Sequence, residues 1–219
     1  MLSFGSPQQD ASICQKPAAP TSIRVDVNID SPDVNHSTSR ASLKQFEIAT
    51  VSPYGNGTNV HVNGLMRGAI TLDTQFSLAW QKNTDESVNC SWYDHVNLTL
   101  KLKPVIYVAS EIPNDSCMYR EVLNHEYKHY QTDYNISKDY QVIFQDELQN
   151  FLQQADVIGP YGKDDQEKVK IELTKRLDKV ISAVNDRMKV ERIKRQSMID
   201  SREEYERVAH ACGDAVGTM

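Results

Sequence analysis

The 219-residue chain lacks any excess of positive charge: 24 Lys and Arg stand against 30 Asp and Glu, a formal net charge of -6. Binding a phosphate backbone needs a basic face, so nucleic acid is excluded as a partner. No long apolar run is present either, which excludes a transmembrane helix. The opening residues, MLSFGSPQQDASICQKPAAPTS, carry neither the basic nor the apolar segment of a secretory signal. The chain is therefore expected to be either cytosolic or exported with its signal removed. Cysteine is scarce. Cys14, Cys90, Cys117 and Cys212 form no C-x-x-C pair, so a zinc ribbon is not expected. An even, widely spaced set suits two disulfides of open connectivity, and disulfides imply an oxidising compartment. Sequons at Asn35, Asn56, Asn89, Asn97, Asn114 and Asn135 point the same way. The expectation is a secreted or periplasmic protein.

With 39% hydrophobic and 25% charged residues, the composition is that of a globular chain with a core. Residues 1–21 are rich in Pro, Ser and Gln and read as a flexible arm. Residues 22–219 read as a single domain, β-rich over 22–112 and helical over 113–219, an α+β class. Ile23, Val25, Val27 and Ile29 alternate with polar residues, and residues 96–102 alternate again. Two further strands are expected around Gly64 and Gly68, and a turn cluster at 53–57 separates the early elements. The run 105–109 (VIYVA) suits a buried strand. Beyond Pro113, Asp115 or Ser116 can cap a helix bearing Tyr119, Val122, Leu123, Glu126 and His129. Tyr140, Ile143, Phe144, Leu148, Phe151 and Leu152 form a second amphipathic segment that stops at Gly159 and Pro160. A third, from about Lys163, aligns Val169, Leu173, Leu177, Val180, Val184 and Met188. Ser201 and Glu204 have the spacing of a capping box for a short last helix that ends before Gly213.

The chemistry sits in His125-Glu126-Tyr127-Lys128-His129. Histidines four residues apart lie on one helix face, so their ring nitrogens can converge on one ion at roughly 2.0–2.1 Å. Glu126 lies about 100° round the helix from His125, beside the ion and free to act as a general base. The competing explanation is an exposed polar helix face on which the histidines do nothing.

A sheet, an edge strand and then an H-E-x-x-H helix resemble the zincin metallopeptidases. The stretch IYVASEIPNDSCMYREVLNHEYKH is similar to bacterial proteins regarded as secreted zinc proteases. The resemblance covers about 30 residues, 105–133. It implies Zn²⁺ held by His125 and His129, Glu126 as catalytic base, and an edge strand, 105–109, that pairs with extended peptide or protein substrate. The charged Lys128 departs from the usual motif, and no third histidine follows, so the metzincin form is excluded and a gluzincin-like Glu becomes the default.

Three carboxylates compete for the third ligand position. Glu147 follows at a suitable distance, but only if the chain turns near 135–137, where there is no Gly or Pro. Glu204 is preferred. If Cys117 and Cys212 pair, His125 lies eight residues after one cysteine and Glu204 eight before the other, close to two turns in each case. Glu203 is the one-residue alternative. Asp133 lies too far along the helix from His125 to share its ion and is expected to orient a histidine from behind.

His36, His61 and His95 read as surface or structural residues, and His210 as a cation suited to a helix C-terminus. Trp80 and Trp92 are expected in the core of the β part, and residues 189–195 on a solvated helix face. The contrasting function is a non-catalytic binding or assembly module. In that case the long stripe from Val169 to Met188 packs on a partner and the histidines hold a structural metal or none.

Overall fold

Period-two alternation carries the first half of the chain into strands, and the absence of Gly and Pro over 114–158 and 163–212 lets the second half run into long helices. The computed structural model describes residues 14, 21–46, 62–82 and 88–213. The turn cluster at 53–57, His61 and nearly all of the arm at 1–21 lie outside them. The strands are β1 (Ser22–Ile29), β2 (Asp33–Asn35), β3 (Gly64–Arg67), β4 (Ile70–Lys82), β5 (Val88–Leu102), β6 (Val105–Val108) and β7 (Ile158–Gly162). The helices are α1 (Arg40–Leu43), α2 (Cys117–Gln154), α3 (Gln166–Ile199) and α4 (Arg202–His210). The class is α+β: mixed sheets first, long helices after. No described helix is long and apolar enough to cross a membrane.

One sheet has the order β1-β5-β4 with β7 also paired to β5, and the other has the order β2-β6-β3. Here the expected edge strand is corrected. β6 pairs in parallel with β2 (Val34 opposite Ile106) and antiparallel with β3 (Leu65 opposite Tyr107). Both rows of its backbone groups are therefore occupied. Ile106 and Val108 are fully buried, and a run apolar on both faces belongs in the middle of a sheet. Among the described residues, β3 and β2 flank it.

The two helical segments expected between Pro113 and Gly159 are one 38-residue helix, α2. Nothing in its sequence breaks it: there is no Gly or Pro, and Ser137 satisfies its hydroxyl by bonding back to the carbonyl of Asp133 at 2.8 Å. Residues 135–137 are helix, so the turn that Glu147 needs in order to reach back to the histidines does not exist. Ser116 is the cap, its Oγ accepting from the backbone N–H of Tyr119 at 3.0 Å.

Contacts divide the chain into two compact units: residues 1–25, 74–98 and 143–184 in one, and 26–73, 99–142 and 185–219 in the other. In the first, Cys14 is bonded to Cys90 and β7 lies antiparallel to β5, with Asn89 opposite Tyr161. Gly159, at φ 149°, is the residue the close approach requires, since a Cβ there would meet Asn89 O and Cys14 Sγ at 2.8 Å. Tyr93 is the core aromatic, edge-on to Phe76 and Phe151 and donating its hydroxyl to Leu173 O at 2.7 Å. The tryptophans are not in the core: Trp80 is exposed and Trp92 half-buried. Residues 91 and 93 of β5 face inward, so residue 92 between them faces the other way.

The second unit has a core of Leu43, Ile106, Val108, Ala109, Ile112 and Val122, with Met66, Leu123 and Val208 packed against it. His36 is structural, its Nε2 2.7 Å from Ile112 O and its ring edge-on to Tyr119. The disulfide Cys117–Cys212 joins the start of α2 to the segment just after α4.

Candidate metal centre

Every residue of the motif lies on the part of α2 that belongs to the second unit. Val122, His125, Glu126, His129, Asp133, Ile136 and Tyr140 are all buried, and their three- and four-residue spacing defines one face. Burial of two histidines and two carboxylates on one apolar stripe needs compensation. That compensation comes from the end of α3 and from α4.

Asp200, the first of the two residues between α3 and α4, places its Oδ1 3.3 Å from His125 Nε2 and 3.1 Å from His129 Nε2. The two Nε2 atoms are themselves 3.2 Å apart. His125, His129 and Asp200 are thus a buried group that could hold a metal ion. A tetrahedral ion bound at roughly 2.0–2.1 Å sets its ligand atoms about 3.3–3.4 Å apart, so the observed triangle has the size of one tetrahedral face.

The chemistry of the three atoms also fits. His129 Nδ1 faces Gln196 Oε1 at 2.5 Å, and His125 Nδ1 faces Glu204 Oε1 at 3.5 Å. Both partners are acceptors, so each Nδ1 supplies the hydrogen on that side, and the two Nε2 atoms are left to face Asp200 and each other. Two Nε2 atoms and a carboxylate oxygen meeting at this distance repel one another unless a cation or proton lies among them. The electrostatics agree: burial works against a charge on His129, yet Asp200 and Glu126 outweigh it and its pKa is raised.

Glu126 is buried, and desolvation pushes its carboxyl pKa up, while the two histidines and the backbone N–H of Met66 favour the ionised form. β3 comes this close because residue 64 is glycine. A Cβ there would lie 2.5 Å from Val122 Cγ1 and 2.7 Å from Glu126 Oε1.

Glu204 lies beside His125, as the disulfide argument expects, but on the Nδ1 side of the ring, away from the point where the Nε2 atoms meet. Its carboxylate also accepts from Lys128 at 2.5 Å and from Arg207 at 2.9 Å. Those cations, Arg207 foremost, lower its pKa to about 2. Its backbone N–H bonds to Ser201 Oγ at 3.2 Å, so Ser201 does cap α4. Glu203 is exposed. Asp133 is buried behind His129 and reaches it through Gln196. Tyr205 packs edge-on against His125 at 5.7 Å.

Sequence reasoning missed Asp200, Gln196 and Arg192. Arg192 falls in the stretch assigned to a solvated face, yet it turns inward to Asp133 at 2.7 Å. A signal was present: residues 192, 196 and 200 repeat every fourth position, the spacing of residues 125, 129 and 133 on the facing helix. His95 is a surface residue beside Ser77 and Asp94, and His210 is exposed in the last turn of α4. Comparison of the chain with protein-family models, with curated proteins and with solved structures finds no match to any of them.

Proposed function

We propose that the chain is a zinc-dependent hydrolase cleaving peptide or amide bonds, with His125, His129 and Asp200 as metal ligands and Glu126 as general base. The observation that carries this reading is the convergence of two imidazole Nε2 atoms and one carboxylate oxygen, with a buried carboxyl one residue along the same helix. Two nitrogen donors and one oxygen donor in a three-residue set suit catalytic zinc. The H-E-x-x-H resemblance to zincins supports the same assignment. Asp200 takes the ligand position for which Glu204 was the sequence expectation, and Glu204 holds His125 in the required tautomer.

Held by His125, His129 and Asp200, zinc would supply a Lewis acid for the scissile carbonyl and for acidifying a water. Glu126 takes the proton of the attacking water and passes it to the leaving nitrogen. The Met66 N–H keeps the carboxylate oriented and, with the two histidines, works against the burial that raises its pKa. Substrate is a peptide or protein segment. The two disulfides support work in an oxidising compartment, secreted or periplasmic.

Zinc content of protein purified without added metal, measured by mass spectrometry, tests the reading. The wild type is expected to carry about one zinc per chain and the His125→Ala/His129→Ala variant none. A wild type that stays zinc-free after reconstitution at neutral pH overturns it and leaves the assembly module. Gly64→Ala is expected to retain zinc but to lose about 100-fold in kcat, because Glu126 must move from its place. Zinc content and kcat measured on the same preparation separate the two effects.

A further inference from the structure

We infer that Gln196 is a positioning residue that fixes the proton of His129 on Nδ1, and that its own orientation is imposed by the buried Asp133–Arg192 pair. This rests on the metal-centre reading for its consequence, though not for its geometry.

The polarity of each hydrogen bond in the chain is forced by the one before it. Arg192 is a donor only, and it grips both oxygens of Asp133, Nε to Oδ1 at 2.7 Å and Nη2 to Oδ2 at 2.8 Å. Its Nη2 also donates to the carbonyl of Gly68 at 3.0 Å, which anchors the guanidinium to the backbone between β3 and β4. Asp133 has no solvent exposure, and both its oxygens are taken up in accepting the N–H donors of Arg192.

Gln196 then meets two acceptors on one side. Its Nε2 lies 2.7 Å from Asp133 Oδ1 and 3.1 Å from the backbone carbonyl of His129. Neither can donate, so only the amide NH₂ can face them, and both its hydrogens are used. The flipped amide would set oxygen against two oxygens. Oε1 must therefore face His129 Nδ1, which has to supply the hydrogen. The last link commits Nδ1 to Gln196 and leaves Nε2, which faces Asp200 and His125, as the ring atom open to an ion.

The relay makes one imidazole tautomer obligatory before any ion arrives. A histidine free to choose would spend part of its time with a proton on Nε2, where the ion must bind. Burial of Gln196 at 4% exposure removes water as a substitute partner.

The test uses Gln196→Met, which keeps length and packing but has no amide. Two readouts are taken on the full chain: zinc affinity by chelator competition, and ¹⁵N NMR of the imidazoles in metal-free protein. The expected result is a 10–100-fold weaker zinc affinity. The metal-free His129 signal should move from Nδ1–H alone to a mixture of tautomers. Asp133→Asn, one link farther back, should do the same to a smaller extent and serves if the first variant does not fold. Wild-type affinity together with an unchanged Nδ1–H signal in either folded variant overturns the inference. Failure of the metal reading itself is distinguishable: the wild type would then bind no zinc, while the tautomer shift would still appear.

Discussion

Glu126→Gln is expected to bind zinc as the wild type does and to lose hydrolysis of an unfolded, fluorescently labelled protein by about 10²–10⁴-fold in kcat. The separation follows from where Glu126 sits. It contributes no atom to the group formed by His125, His129 and Asp200, so its loss leaves the donor set whole. Gln fills the same buried space against Gly64 and can still accept from the Met66 N–H. What it cannot do is take a proton at neutral pH. Equal activity in this variant would end the general-base assignment even with zinc in place, and loss of zinc would mean that Glu126 is structural.

The second large effect separates two carboxylates one helical turn apart in sequence. Structural zinc sites are worth roughly 10–16 kcal/mol shared over four ligands, so removing one costs on the order of 100–1,000-fold or more in affinity. Asp200→Ala is expected to show that loss. Glu204→Ala should weaken binding only about 10–100-fold, as a partner of a ligating histidine does, because Arg207 and Lys128 rather than an ion are its main partners. Chelator competition on both variants decides the matter. The reverse order of effects would restore Glu204 as the ligand and leave Asp200 as its support.

Much of this site was legible before any coordinates. His125, Glu126 and His129 are local: a four-residue spacing on one helix fixes their common face whatever the rest of the chain does. The Cys117–Cys212 argument also brought Glu204 to the right histidine, because counting turns from a covalent link is reliable over two turns. It could not tell which ring nitrogen Glu204 would face. That depends on the angle at which α4 leaves α3, and the angle is set at Asp200 and Ser201, where the helix breaks. Asp200 was overlooked for the same reason: a carboxylate at a helix break reads as part of a cap. Arg192 falls in the stretch 189–195, which reads as a solvated helix face, and nothing local marks Gln196. Their burial depends on Asp133, 59 and 63 residues away, and no local pattern reports such a pairing. The edge strand went wrong through the same non-locality, since β6 is central only because β2 joins it in parallel from far earlier in the chain.

The closed loop made by Cys117 and Cys212, 95 residues apart, contains His125, Glu126, His129, Asp133, Gln196, Asp200 and Glu204. The two ends of the sequence that build this group are joined by a long stretch of chain that proteolysis could cut. A single cut in the segment between α2 and α3 would divide the polypeptide into two pieces, one bearing the histidines and the other Asp200. The disulfide would keep them in one molecule. Nicking alone would then release neither half of the site, and separation would need a reductant as well as a blade.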